Sequence, residues 1–218
     1  MLTATRGIVL KYVKYRESSV IVTIYTEEYG IQSYIVNGIR SVRAKRGMGY
    51  FQPLMLLDLV VYHHNQREIH RLSEWKMSSN LFSLYSDMHK SSISLFISEL
   101  LYKSLKEVEP NEDTFRFIFH SIEILDNLTE GVHYFHIQFM VKLARYLGFA
   151  TDHYISETDE KIEKDLKFIN TSSYGSNLNI EWAERKKILD YLIGFYSIHI
   201  SGFGKLKSYQ ILSEIFSK

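Results

Sequence analysis

The run Asn37 to Gly49, NGIRSVRAKRGMG, gathers Arg40, Arg43, Lys45 and Arg46 with no acid among them, and Gly47 and Gly49 follow the cluster. Four cations on a short glycine-flanked connection suit electrostatic capture of a phosphate backbone. A solvated basic turn with no ligand has the same composition. The other chemistry-bearing groupings are weaker. His133 and His136 stand at i, i+3 on a predicted helix and would face one metal ion, but no further ligands accompany them, so core or interface histidines are the plainer reading. His63 and His64 are adjacent in a predicted strand and would point to opposite faces. Gly202-Phe203-Gly204-Lys205 lacks both the spacing and the following Ser or Thr of a phosphate loop. Glu157, Asp159, Glu160, Glu163 and Asp165 would serve a metal-dependent nuclease only on a rigid scaffold. They lie in the least patterned part of the chain and read as a solvated loop and a helix start. The chain has no cysteine, which excludes disulfides, thiol catalysis and thiolate zinc sites.

The elements that position these residues divide by period. Residues 7–78 alternate as strands do. GIVLKYVKY and SVIVTIYT are rich in β-branched residues and tyrosine, with Arg16 to Ser19 as the turn between them. IQSYIVNGI is the third predicted strand, Tyr50 to His63 the fourth and REIHRLSEWKM the fifth. Five short strands fit a small closed barrel of the OB type. Helical spacing then takes over, with one predicted helix across Asn80 to Val108, a second from Asp113 to Leu128 and a third from Val132 to Leu147, stopped by Gly148. Residues 150–180 lose periodicity. Ser176 to Gly194 and Phe195 to Phe216 read as helical again. The predicted fold is therefore α+β: an OB-type domain over residues 1–79, and a helical domain over 80–218 with an irregular insert at about 150–180.

The charge is asymmetric. Residues 1–80 carry 11 Lys+Arg against 6 Asp+Glu, whereas residues 81–218 carry 15 against 19. The barrel is thus the part suited to a polyanion. Tyr12, Tyr15, Tyr34, Tyr50 and Phe51 alternate there with basic residues and are candidate stacking platforms, although core packing accounts for such rings equally well. No run of about 18 apolar residues is present, and the N-terminus lacks a signal-peptide core, so a cytoplasmic protein with no membrane contact is expected.

In sequence, RGIVLKYVKYRESSVIVTIYTEEYG resembles the opening of the bacterial RecO recombination mediator family. VNGIRSVRAKRGMGYFQPLMLLDLVV is similar to that family's next block, a glycine, a basic cluster and a QP-containing strand. EVEPNEDTFRFIFHSIEIL, FHIQFMVKLARYLGF and GFGKLKSYQILSEI resemble its helical part, so the likeness spans nearly the whole chain. It implies an OB barrel followed by a helical domain, and no bond cleavage. It implies binding of single- and double-stranded DNA, annealing of complementary strands, and help in loading RecA onto strands coated by single-strand-binding protein (SSB). RecR and the acidic SSB C-terminal tail are the implied partners, and a bacterial nucleoid-associated location follows. Many members carry a four-cysteine zinc ribbon, but Asp152 to Asn179 of this chain has no cysteine, so no cofactor is expected. Packing by Phe168, Ile169, Tyr174 and Leu178 would hold that stretch instead. The expected DNA contacts are Lys14, Arg16, Arg40, Arg43, Lys45 and Arg46, extended by Lys205 and Lys207. Lys142 and Arg145 are the expected contacts for the acidic peptide. Two readings compete with this one: an interaction scaffold whose barrel meets an acidic protein, and a nucleic-acid enzyme with an acidic metal site.

Overall fold

The computed structural model describes residues 2–40, 47–64, 66–105, 110–149 and 160–217. The chain forms two units. The first comprises residues 1–81 and 98–119, the second residues 82–97 and 120–218.

The first unit is built on five strands: β1 (Leu2–Tyr15), β2 (Ser19–Thr26), β3 (Gly30–Val36), β4 (Leu56–Tyr62) and β5 (Ile69–Met77). They close in the order β1-β2-β3-β5-β4, the topology of an OB-type barrel. β1 is long enough to serve two neighbours. Its first half, Leu2 to Ile8, pairs with β4, and its second half, Gly7 to Tyr15, pairs with β2, with a register shift between Val9 and Lys11 that lets it turn the corner. β3 and β5 are parallel and meet only through Ser33↔Ile69, Tyr34↔His70 and Ile35↔Arg71. Val20, Val22 and Ile24 of β2 and Tyr34 of β3 are fully buried in the barrel. At Gly7 the walls come too close for a side chain, since a Cβ there would lie 2.6 Å from both Ile24 and Leu59. The outer face is covered as well. Tyr25 is buried against Phe115, with ring centroids 5.7 Å apart. Arg6 pairs with Glu27 through two charge-assisted hydrogen bonds, and its guanidinium lies 4.9 Å from the Phe119 ring centroid.

Helices follow: α1 (Ser83–Ser86), α2 (Met88–Ser104), α3 (Glu112–Asn127), α4 (Phe135–Tyr146), α5 (Glu160–Thr171), α6 (Trp182–His199) and α7 (Ser208–Phe216). Asn111 caps α3, its Oδ1 accepting from the Thr114 amide at 2.9 Å. In the second unit α4 is the axis. Nine of its residues are buried, among them Phe135, Phe139, Met140 and Leu143. Tyr196 of α6 donates its hydroxyl to the Met140 carbonyl at 2.8 Å, and Gln138 donates to the Ser173 carbonyl at 2.9 Å.

Several boundaries differ from the sequence expectation. Tyr50 to His63 is not one strand: Met48–Phe51 is a 3-10 turn, Leu54 has φ 63°, and β4 begins at Leu56. The buried side chains of Phe51 and Leu54 gave this turn the apolar look of a strand. The predicted helix 80–108 breaks at Asp87, whose ψ of 127° is extended. There Lys90 donates to the Asp126 carbonyl at 2.7 Å and to the Ser83 hydroxyl. Gly194 does not end a helix; α6 runs through it to His199, because burial of Leu192, Phe195 and Tyr196 outweighs the roughly 1 kcal/mol helix penalty of one glycine. The stop falls at Ile200, whose backbone is extended, and Gly202 and Gly204 follow it at positive φ. In the 150–180 region α5 is a regular helix, and Ile169 and Leu178 are buried as expected while Phe168 stays 52% exposed.

Candidate nucleic-acid interface

One end of the barrel is formed by the β1–β2 turn and the residues that leave β3. Arg16 takes the left-handed conformation, φ 51°, which makes the turn tight. Its guanidinium lies 5.2 Å from the Tyr15 ring centroid. Residues 37–40 lie across this turn. The Ser19 hydroxyl donates to Asn37 Oδ1 at 3.0 Å, Gly38 turns the chain at φ 71°, and Ile39 is buried. The Arg40 amide donates to the Ser18 carbonyl at 3.0 Å, and Arg40 Nη1 donates to the Arg16 carbonyl at 3.2 Å. Lys14 is exposed on β1, opposite Val20. Lys14, Arg16 and Arg40 thus share one end of the barrel, and none is in an ion pair with a described residue; Glu17 is the acid in the same turn. Arg43, Lys45 and Arg46 lie outside the described residues.

Of the candidate stacking rings, Tyr34 and Phe51 are fully buried and belong to the core, Phe51 lying 5.5 Å from the Trp75 ring. Tyr12 is 42% exposed, and Tyr15 and Tyr50 are half-buried. These three rings keep part of their surface exposed.

Lys205 and Lys207 are exposed in the second unit, Lys207 immediately preceding α7. Lys142 and Arg145 lie on α4 with different surroundings. Lys142 Nζ donates to the Asn170 carbonyl at 3.2 Å and the Ser172 carbonyl at 3.0 Å, closing the C-terminal end of α5. Partial burial, and then the neighbouring Arg145, depress its pKa. Arg145 itself is exposed. The stretch that follows α5 is held by Tyr174, whose ring stacks on Phe135 at 4.5 Å and whose hydroxyl pairs with Ser121 at 3.2 Å.

His133 and His136 do not converge on a common ligand. His136 is buried, its ring packed between Phe96 at 6.0 Å and Phe216 at 5.5 Å. Burial above all, then Arg185 and His133, pushes its pKa down to about 3. Among the described residues no three His, Asp or Glu side chains are grouped so as to hold a metal ion. Glu157 and Asp159 of the acidic run lie outside the described residues, and Glu163 pairs with Lys167 along α5. Among the described residues no helix is long and apolar enough to cross a membrane. Sequence reasoning set His63 and His64 on opposite faces of one strand and Arg67, His70 and Arg71 in the next, and did not group them; in the structure all five line one cavity beside the β4–β5 turn.

Comparison with known proteins bears on the whole chain. The family model for the N-terminal part of recombination protein O matches residues 1–81, and that for its C-terminal part matches residues 85–154. The DNA repair protein RecO of Flavobacterium psychrophilum is 34% identical over 239 aligned positions, with all of both chains covered. Its counterpart in Flavobacterium johnsoniae is 33% identical, again with both chains fully covered. That of Azobacteroides pseudotrichonymphae is 31% identical across 99% of this chain and 100% of its own length.

Proposed function

The chain belongs to the RecO family of DNA repair and recombination proteins, and from that premise we propose that it is a sequence-independent DNA-binding mediator, annealing complementary strands and helping RecA onto SSB-coated single strands. Residues 1–79 are the DNA-binding module in this reading, and residues 80–218 support it and meet partners. The observation that carries the reading is the gathering of Lys14, Arg16 and Arg40 at one barrel end, at the start of the connection that holds Arg43, Lys45 and Arg46. Contacts from such side chains to phosphates fix a strand without reading its sequence. Annealing needs that kind of contact: repulsion between two backbones is screened while base edges stay free to pair. Lys205 and Lys207 add positive charge from the second unit. RecR and the acidic SSB tail are the protein partners. For the tail, exposed Arg145 is the stronger of the two α4 candidates, since two carbonyls already engage Lys142.

The test is strand annealing in the presence of SSB, comparing the intact chain with one neutralised at Arg40, Arg43, Lys45 and Arg46. The neutralised chain is expected to lose most of the annealing rate while keeping its circular dichroism. Equal rates in the two proteins would refute the reading and favour a barrel that meets an acidic protein.

A further inference from the structure

Asn37 opens the basic stretch and is followed by Gly38, whereas every other asparagine of the chain precedes a residue that carries a side chain. That step has a chemistry of its own. The amide nitrogen after an asparagine can close a five-membered ring on the side-chain carbonyl carbon, and the bulk of the following side chain ordinarily slows the closure. At Gly38 that bulk is absent. A Cβ there would meet nothing within 4 Å, so the ring has open space in which to form. Asn37 lies just beyond the β2–β3 ladder, which ends at the pair Val20↔Val36, and it is exposed. Its carboxamide is nevertheless held. Ser19, only 6% exposed, donates its hydroxyl to Asn37 Oδ1 at 3.0 Å. Oδ1 is the atom on which negative charge develops when a nucleophile adds to Cγ, so a donor fixed there favours the addition. The same turn holds the cations. The Arg40 amide donates to the Ser18 carbonyl, and Arg40 Nη1 to the Arg16 carbonyl.

We propose that Asn37 is a site of spontaneous deamidation, assisted by Ser19, and that the carboxylate it produces weakens the adjoining cationic grip. The Gly38 nitrogen bonds to Asn37 Cγ and the Cγ–Nδ2 bond breaks. The displaced nitrogen leaves as ammonia, taking the Gly38 amide proton. Water then opens the succinimide ring. Cleavage of the new N–Cγ bond gives aspartate at position 37. Cleavage on the main-chain carbonyl side gives isoaspartate, which adds one carbon to the backbone. Nothing is oxidised or reduced, and water is the co-reactant. Either product places one negative charge beside Lys14, Arg16 and Arg40, none of which is in an ion pair with a described residue. That charge repels a phosphate and competes with it for a guanidinium. Because the reaction runs one way, the grip weakens as the molecule ages. The chemistry stands on the turn alone, and its consequence rests on the DNA-binding reading above.

The test incubates the full chain at neutral pH and follows the exchange of ammonia for water at each asparagine by peptide mass mapping. Asn37 should convert faster than exposed Asn127 and Asn179; equal rates overturn the proposal. Ser19→Ala should slow the conversion several-fold, less than an enclosed oxyanion donor gives because this turn is open to water. Conversion as fast as in the parent overturns the role of Ser19. Polarisation of a labelled oligo-dT then compares fresh and incubated parent with Asn37→Asp and with Asn37→Gln, whose longer side chain closes no five-membered ring. If the new carboxylate cancels one phosphate contact, the slope of log K against log salt becomes shallower by about 0.7. Affinity is then about fivefold lower at about 0.1 M salt if the two plots meet at about 1 M. The incubated parent should approach Asn37→Asp, while Asn37→Gln keeps its fresh affinity. Converted parent and Asn37→Asp that both bind as the fresh parent does overturn the effect on the grip. A fresh parent that fails to bind oligo-dT refutes the DNA-binding reading instead, and the mass map still decides the chemistry.

Discussion

Replacing His136 by leucine should flatten the acid side of the stability profile. The ring is 3% exposed and packed between Phe96 and Phe216, and its pKa falls from 6.5 to about 3. Above pH 6.5 the folded and unfolded chains both hold this group neutral, and it contributes no pH dependence. Below 6.5 the unfolded chain takes up the proton and the folded chain does not, so stability is lost as pH falls, down to about 3 where the folded form also protonates. Between pH 7.5 and pH 5 the loss from this one side chain is RT ln(1 + 10^1.5), about 2 kcal/mol. Leucine has similar volume and does not titrate. It also removes the buried Nδ1, which has no hydrogen-bond partner among the described residues. The assay is urea unfolding at pH 7.5, 6.5, 5.5 and 5.0, followed by Trp182 fluorescence in a Trp75→Phe background so that the second unit is reported. The quantity read is the variant-minus-parent difference at pH 5 less the same difference at pH 7.5. It cancels any effect of leucine that does not depend on pH, and it should come to about 2 kcal/mol in favour of the variant. Parallel profiles for the two proteins would refute the assignment of a neutral buried imidazole.

If about six phosphates are contacted, the plot of log K against log salt should have a slope of roughly −4 to −5, and a nearly flat plot by polarisation would remove the backbone-grip mechanism. Gly7→Ala forces a methyl group to within 2.6 Å of Ile24 and Leu59, so urea unfolding should show a destabilisation of about 1–3 kcal/mol; unchanged stability would mean that the barrel walls yield there. The two α4 cations should separate by assay. Lys142→Met should lower stability by about 1 kcal/mol, since the ammonium is only partly buried, and leave tail binding nearly intact. Arg145→Glu should spare stability and weaken calorimetric binding of an SSB C-terminal peptide at low salt; unchanged binding would exclude this face of α4.

The sequence revealed most where one physical signal dominates. β2 was legible from its β-branched residues, and Gly30, Gly131 and Gly148 were legible as turns because only a residue without Cβ adopts their positive φ easily. The stretch Tyr50 to Met55 was not, since a 3-10 turn that buries Phe51 and Leu54 has the same apolar composition as a strand. The closeness of Gly7 to Ile24 and Leu59 was also hidden, because it depends on three strands meeting after closure. The site divided in the same way. The run of cations was visible by charge alone, and its contact with the β1–β2 turn through Arg40 required the fold. Lys142 and Arg145 look alike in sequence; only the carbonyls of Asn170 and Ser172 distinguish them. The grouping of His63, His64 and Arg67 with His70 and Arg71 was hidden, because the last two lie on β5 and meet the end of β4 only once the chain has reversed.

The parallel seam between β3 and β5 joins only residues 33–35 to 69–71, while every other junction of the barrel is longer. A hoop fastened by so short a clasp springs open at the clasp first. Its rim on the β5 side is His70 and Arg71, so whatever grips those two side chains also latches the hoop, and what pries them apart loosens the whole ring.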